Sequence, residues 1–185
     1  RIAEETRPLF HNPYDPMTPS KISIATVVGA GAMGSGIAQV LAQAGVSVKL
    51  YDTKDEALER AMTKLKSTMD RLVEKGKFQA DQAAGILSRI QPILYLREAA
   101  DSDLVIEAIY ENLEAKRSVF TTLDDVVSAD CIFASNTSSL SIAAISSGVK
   151  NPKRLIGLHF FNPAPLMPLV EIVPSLATDP EVLQR

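Results

Sequence analysis

The chain has 185 residues, of which 46% are hydrophobic and 22% are charged, a composition typical of a globular protein with a sizeable buried core. Its formal net charge of −3 argues against a general nucleic-acid binder, which normally carries a basic surplus. No apolar run approaches the roughly 20 residues that a membrane helix needs, so we expect no membrane partner. The single cysteine, Cys131, rules out an internal disulfide and favours a reducing, cytoplasmic location.

Residues 1–20 differ from the remainder of the chain. They hold prolines at positions 8, 13, 16 and 19 and lack the apolar core of a secretory signal. This composition predicts an extended N-terminal tail. A regular apolar pattern then begins and predicts one domain over residues 21–185.

The first half of that domain alternates between strand and helix. A β-rich run over Ile22–Val28 stops at glycine and predicts a buried strand. Met33–Ala44 has apolar residues at helical spacing, and Val46–Tyr51 predicts a second strand. Asp55–Lys75 carries the longest helical pattern, with one continuous apolar stripe.

The second half continues the alternation. The predicted elements are, in chain order, a helix over Asp81–Ile90, strands over Ile93–Leu96 and Leu104–Ile109, a helix over Leu113–Val127, a strand over Cys131–Ser135, a helix over Ser141–Ser146, and strands over Leu155–Leu158 and Leu169–Val173. Continuous apolar strands alternating with helices predict an α/β fold of the Rossmann type. Its doubly wound, mainly parallel sheet would have helices on both faces.

A glycine-rich motif joins the first strand to the first helix. Residues 29–34 read Gly-Ala-Gly-Ala-Met-Gly and fit the pattern G-x-G-x-x-G. Gly29 permits a tight turn, Gly31 lets the backbone approach a pyrophosphate, and Gly34 allows close packing of helix on strand. The N–H groups at the helix start then face the phosphates. The alternative is that these glycines merely shape a turn.

Asp52 ends the second strand and completes the fingerprint, eighteen residues beyond Gly34. A carboxylate at this place accepts hydrogen bonds from the adenosine ribose and repels a 2′-phosphate, which favours NAD over NADP. Lys49 and Lys54 lie nearby and weaken that preference slightly. The complete strand–loop–helix–strand context predicts a dinucleotide site, with NAD as the cofactor.

His159 is the candidate catalytic base. It is one of two histidines, and it is predicted to sit just after a strand. Alcohol oxidation needs a base poised near neutral pH, because the hydroxyl proton leaves as the hydride departs. Glu171, at a different strand, is the candidate partner for the other ring nitrogen. Considered alone, the two side chains favour a simpler interpretation, a hydrogen-bonded core histidine and a strand-edge charge.

Four motifs together resemble the 3-hydroxyacyl-CoA dehydrogenase family. They are residues 29–38 with the glycine motif, 106–112 (IEAIYEN), 134–140 (ASNTSSL), and 157–163 (GLHFFNP) followed by LVEI at 169–172. The resemblance spans nearly everything from residue 20 onward. It implies NAD-dependent, reversible oxidation of (3S)-3-hydroxyacyl-CoA to 3-oxoacyl-CoA.

The resemblance also implies roles for individual residues. His159 would be the acid/base and Glu171 its orienting partner, while Ser138 and Asn162 would bond the reacting oxygen or the nicotinamide end. Ser138 has an alternative role as a cap for the helix that begins near Ser141. The implied cofactor-binding residues are Gly29, Gly31, Ala32, Met33, Gly34, Asp52, Ala108, Glu111, Lys116 and Asn136, and no metal site is assigned.

In the family, a helical domain follows the NAD-binding domain, and we expect it beyond residue 185. That domain would help to close the acyl pocket and carry much of a homodimer contact. The family also implies that some of the basic residues in and just after the long helix approach CoA phosphates, although an ordinary solvated helix face is the favoured interpretation for any single lysine. The basic residues are Lys64, Lys66, Arg71, Lys75 and Lys77.

Two other functions stay open. A β-hydroxyacid dehydrogenase acting on free acids shares the glycine motif, but it uses a lysine base and has no counterpart of the His159–Asn162 motif. A structural, crystallin-like relative would bind NAD with little turnover. The presence of both His159 and Glu171 argues against this function.

Overall fold

The computed structural model describes residues 22–185, and the predicted tail over residues 1–20 lies outside them. The strands are β1 (Ile24–Val28), β2 (Ser47–Tyr51), β3 (Ile90–Ile93), β4 (Leu104–Glu107), β5 (Ile132–Ser135), β6 (Leu155–Phe160) and β7 (Val170–Val173). The α-helices are α1 (Ala32–Gln43), α2 (Asp55–Glu74), α3 (Ala80–Ser88), α4 (Leu113–Asp124) and α5 (Ile142–Ser146). Short 3-10 helices span Leu96–Ala99, Pro152–Arg154 and Pro180–Gln184.

The strands form one sheet in the order β3-β2-β1-β4-β5-β6-β7. Every neighbouring pair is parallel except β6 and β7, which are antiparallel. The chain moves outward from β1 to β2 and β3 and then returns to place β4 on the other side of β1. Ligands of such sheets bind at the carboxyl ends of the strands beside this reversal. The predicted doubly wound, mainly parallel fold is confirmed.

Two apolar clusters cover the two faces of the sheet. Along β4, Leu104 and Ile106 pack with α1, α2 and α3, whereas Val105 packs with α4 and α5. This alternation follows from the two-residue period of a strand. The strand is therefore apolar on both sides, as expected for a parallel sheet between two helical layers.

Helix α2 confirms the predicted long helix to within one residue. Its buried residues Leu58, Leu65 and Met69 belong to the predicted stripe and join the apolar cluster that α2 shares with α1 and α3. Within residues 22–185, no helix combines the length and the apolar character needed to cross a membrane.

The third strand differs from its prediction. It spans Ile90–Ile93, whereas the sequence placed a helix up to Ile90 and a strand over Ile93–Leu96. Because β3 is an edge strand that pairs with β2 alone, Pro92 is accepted inside it despite lacking an N–H group. The sequence predicted the strand only after this proline, and that prediction is wrong.

The sixth strand is longer than predicted. It continues two residues past Leu158 to Phe160, since the antiparallel pairing with β7 extends as far as Phe160 opposite Val170. His159 therefore lies inside β6, and the expectation that it follows the strand is wrong.

Candidate active site

The glycine loop between β1 and α1 is tightly packed at two of its three motif glycines. Gly29 has a φ of 106°, and a Cβ atom there would lie 2.7 Å from the carbonyl oxygen of Ala108. A Cβ on Gly34 would lie 1.7 Å from the carbonyl oxygen of Gly29. A Cβ on Gly31 would meet nothing within 4 Å. Two glycines thus serve packing, and the third leaves the start of α1 open to a ligand.

A cleft of about 860 Å³ opens in front of this loop. Its walls are the glycine loop, the end of β2, the first turns of α2, and the segment that joins β4 to α4. Of the predicted cofactor-binding residues, those that line it are Gly29, Gly31, Ala32, Asp52 and Ala108. Met33 instead packs on the core and Gly34 is buried. The size, the glycines and the acidic strand end fit an extended dinucleotide.

Asp52 is anchored as well as exposed to the cleft. Its Oδ2 accepts a hydrogen bond from the N–H of Ala30 at 2.8 Å, and its Oδ1 accepts one from the N–H of Lys54 at 3.1 Å. Each carboxylate oxygen has two lone pairs, so acceptor capacity remains for ribose hydroxyls. The sequence suggested the ribose contact but gave no sign of the bond to the glycine loop.

A buried ion-pair cluster lies behind the segment that joins β4 to α4. The Nζ of Lys116 is 2.7 Å from Glu107 Oε1 and 3.2 Å from Glu111 Oε2. The Lys116 side chain is only 1% exposed and that of Glu107 is fully buried, while Glu111 is 37% exposed. Lys116 is therefore buried behind the cleft wall, and its partner Glu111 is partly exposed; neither residue lines the cleft.

Glu111 is held in its ionised form. Burial raises its pKa. The hydrogen bond from the Thr137 hydroxyl, the hydrogen bond and positive charge of the Lys116 ammonium, and the hydrogen bond from Ser139 together lower it by more, so the resulting pKa is about 2. The Ser139 hydroxyl donates at 3.0 Å. Glu111 thus ties the segment after β4 to the serine-rich turn after β5.

His159 and Glu171 face each other across β6 and β7. They are directly opposite in the antiparallel register, and His159 Nδ1 lies 2.8 Å from Glu171 Oε2. An Nδ1–H group donating to the carboxylate leaves Nε2 as a free proton acceptor. The imidazole is 22% exposed and packs on Phe161, with 4.8 Å between ring centroids. The pair can take up a proton at Nε2 and stabilise the resulting imidazolium.

Two further predicted site residues, Asn136 and Ser138, follow the carboxyl end of β5. Asn136 follows β5, and its Oδ1 accepts a hydrogen bond from the N–H of Phe160 at 2.8 Å, next to His159. Ser138 is exposed in the following turn. The alternative that it caps α5 is wrong, because Ser141 accepts the bond from Ala144 N–H. In residues 22–185, no hydrogen bond joins His159 to Ser138 or Asn162.

Asn162 lies on a second groove, of about 710 Å³, between α1, α2 and the loop after β6. Lys64, Thr68 and Lys77 line the same groove. Lys64 also lines the first cleft, so the two spaces are neighbours. Lys66 instead pairs with Asp70 at 2.7 Å on the exposed face of α2.

A family model described as 3-hydroxyacyl-CoA dehydrogenase, NAD binding domain, matches residues 24–185. The chain belongs to this family. The match covers all seven strands of the sheet and the helices described above. It confirms NAD as the cofactor of the domain.

Individual members of the 3-hydroxyacyl-CoA dehydrogenase family are similar over most of this chain. A probable 3-hydroxybutyryl-CoA dehydrogenase from Bacillus subtilis is 47% identical over 84% of this chain and 54% of its own length. A 3-hydroxyadipyl-CoA dehydrogenase from Escherichia coli is 44% identical over 89% of this chain and 34% of its own length. The crystal structure of a 3-hydroxybutyryl-CoA dehydrogenase from Escherichia coli K12 superimposes with a TM-score of 0.87 at 44% identity, over 89% of this chain and 35% of that one. The chain thus spans between a third and just over half of these relatives.

Sequence reasoning missed Glu107, Thr137 and Ser139 in this NAD-binding domain. Glu107 carried a detectable signal, because a carboxylate inside an otherwise apolar buried strand requires a charged or hydrogen-bonding partner. Lys116, nine residues later, is that partner. Nothing in the sequence separates Thr137 and Ser139 from their neighbours in the turn.

Proposed function

We propose that the domain serves the reversible oxidation of (3S)-3-hydroxyacyl-CoA to 3-oxoacyl-CoA, with His159 as general acid/base. The observation that carries the proposal is the contact between His159 and Glu171. His159 lies near the carboxyl end of β6, at the same end of the parallel strands as the glycine loop that follows β1. Gly29, Gly31 and Asp52 would hold NAD, which would supply the hydride acceptor for C3 of the substrate. The protein then has to remove one proton and align the reacting carbon.

His159 removes that proton in the proposed mechanism. Its Nε2 accepts the proton of the C3 hydroxyl as the C3–H bond breaks, and a carbonyl forms at C3. Glu171 keeps the Nδ1–H tautomer and stabilises the imidazolium by charge. In the reverse direction, the imidazolium returns its proton to the carbonyl oxygen. Ser138 and Asn162 are proposed to hydrogen-bond this oxygen or the nicotinamide end.

The groove beside α2 supports an acyl-CoA substrate. Lys64 and Lys77 bring positive charge to its wall, and Asn162 connects it to the loop that follows His159. Cations at such a wall would attract the phosphates of CoA. A free 3-hydroxy acid has no CoA phosphates for these cations to attract.

The experiment is steady-state and binding analysis of the full-length protein with His159→Ala. We expect kcat for 3-hydroxybutyryl-CoA to fall about 10²- to 10⁴-fold, the usual contribution of general acid–base catalysis, while the dissociation constant for NADH barely changes. Near-normal turnover would rule out His159 as the base. Glu171→Gln should lower kcat by a smaller factor, because the base is retained and only its partner is weakened.

Wild-type activity separates the remaining functions. Oxidation of the CoA thioester but not of the free 3-hydroxy acid supports the proposal, and the opposite preference indicates a β-hydroxyacid dehydrogenase. NADH binding without reduction of acetoacetyl-CoA indicates a structural, crystallin-like protein.

We also propose that the full-length protein is a homodimer. The relatives extend well beyond the matched region. Apolar side chains lie exposed on β7 and beside it, namely Leu166, Leu169, Ile172, Val173 and Leu176. Light scattering of the full-length protein tests this, and a monomeric mass at micromolar concentration contradicts it.

A cytoplasmic location stays a prediction from the single cysteine, which is buried and unpaired.

A further inference from the structure

Glu107 is a buried carboxylate that the proposed mechanism does not use. It is the last residue of β4, it is fully buried, and it accepts three hydrogen bonds. The donors are the N–H of Ile109 at 2.7 Å, the Nζ of Lys116 at 2.7 Å and the hydroxyl of Ser135 at 2.6 Å. A buried charge is costly unless it is paired in this way, and removing its partners leaves an uncompensated group.

The three donors belong to separate parts of the site. Ile109 is part of the cleft wall, between Ala108 and Tyr110, which line the cleft as well. Lys116 lies on α4 and also holds Glu111. Ser135 ends β5 and is followed by the turn that contains Asn136 and Ser138.

We propose that Glu107 is a positioning residue, which fixes the wall of the NAD cleft by holding the ends of β4 and β5 and the first turns of α4 together. Its carboxylate can accept from all three donors at once because each oxygen has two lone pairs. A glutamine can accept through one oxygen only, and its NH2 group would face donors. The effect on turnover rests on the proposed function, whereas the effect on cofactor binding does not.

The test compares two buried carboxylates in the full-length protein. Glu107→Gln is the variant, and Asp124→Asn is its matched control. Asp124 pairs with Arg154 in another buried ion pair, with side chains 4% and 6% exposed, and neither residue lines the cleft. Measurements are the melting temperature, the dissociation constant of NADH by fluorescence, and kcat and KM for the acyl-CoA.

Both variants should melt at a lower temperature, but only Glu107→Gln should weaken NADH binding, by about tenfold, the equivalent of 1.4 kcal/mol. An unchanged NADH dissociation constant in Glu107→Gln, or an equal rise in Asp124→Asn, overturns the proposal, because the role would then be structural only. Ser135→Ala removes a single donor and serves if Glu107→Gln does not fold. A rise of a few-fold in its NADH dissociation constant supports the proposal, and no rise overturns it.

The failure of the proposed function gives a different pattern. If the wild type binds NADH but does not oxidise the thioester, the assignment of the substrate fails. The comparison of NADH binding between Glu107→Gln and Asp124→Asn still decides the role of Glu107.

Discussion

The carboxylate of Asp52 accepts a hydrogen bond from the N–H of Ala30 at 2.8 Å, so the side chain that ends β2 also holds the glycine loop. The expected contact with the adenosine ribose would be made by the same group. Two functions of one carboxylate can be separated by substitution.

Asp52→Ala should weaken NAD binding and relax the discrimination against NADP. Loss of the ribose acceptor and of the bond to Ala30 both reduce NAD affinity, and loss of the negative charge removes the repulsion of a 2′-phosphate. Lys54 lines the cleft and becomes an available cation for that phosphate. The measurement is the pair of dissociation constants for NADH and NADPH.

Asp52→Asn is the matched control for this prediction. The amide keeps an oxygen for the N–H of Ala30 but carries no charge, so NADPH affinity should rise while NADH affinity falls less than in Asp52→Ala. Lys49→Ala should change neither constant, because Lys49 bonds to Asp101 and to the Glu98 carbonyl and does not line the cleft. Unchanged constants for both cofactors in Asp52→Ala would contradict the assignment.

Glu111 should contribute to the acid sensitivity of the domain. Its pKa of about 2 in the folded state is lower than the ordinary value of 4.5 for a glutamate, so its ionised form stabilises the fold. A lowered folded pKa gives stability that is complete above the unfolded pKa and is lost as the pH falls toward the folded pKa. The contribution of Glu111 should therefore disappear between about pH 4.5 and about pH 2.

Urea unfolding at several pH values checks this. Glu111→Gln should lose stability at neutral pH and show a shallower dependence on pH in that acidic range. Glu114→Gln is the control nearby on α4, since its side chain is 78% exposed and forms a surface ion pair with Arg117. A pH dependence in Glu111→Gln identical to that of the wild type would show that Glu111 is not stabilised in the folded state.

The glycine motif, Asp52 and the long helix could be predicted because each depends on neighbours in sequence. The contact of His159 with Glu171 cannot be derived from sequence neighbours alone, because it depends on the antiparallel register of β7 against β6. A shift of that register by one residue would turn the two side chains to opposite faces of the sheet. Local patterns do not determine this register.

Lys116 shows a second reason why sequence reasoning stops. The resemblance implied a cofactor-binding residue, and its charge alone favours an exposed position. The structure buries the side chain between Glu107 and Glu111. Burial of a lysine depends on how α4 packs on the sheet, which no single segment of the sequence specifies.

The groove beside α2 should bind the CoA part of the substrate. Lys77→Ala should raise the KM for the acyl-CoA several-fold and leave the NADH dissociation constant unchanged, because Lys77 lines the groove and not the NAD cleft. The change in KM should diminish at high ionic strength, as expected for a screened charge at the surface.

Lys66→Ala, on α2 itself, is the matched control for Lys77, which lies just after the end of that helix. Lys66 carries the same charge, but it pairs with Asp70 on the exposed face and does not line the groove. Its KM should equal that of the wild type. Equal increases in both variants would indicate a general effect of net charge, and no increase in Lys77→Ala would place CoA elsewhere.

Two glycines of the same motif should respond differently to alanine. Gly34→Ala places a methyl group 1.7 Å from the carbonyl oxygen of Gly29, and the backbone has to move to accept it. We expect a loss of about 1–3 kcal/mol or more in the free energy of unfolding, as for other overpacked sites. Gly31→Ala meets no atom within 4 Å and should leave the melting temperature nearly unchanged.

NADH binding completes this comparison. Gly31→Ala should still weaken it by about tenfold or more, because the added methyl group occupies the space through which a pyrophosphate reaches the start of α1. A stable Gly31→Ala protein with normal NADH affinity would show that the open side of the loop is not where the phosphates bind. Loss of stability in Gly31→Ala would mean instead that the loop is closed in solution.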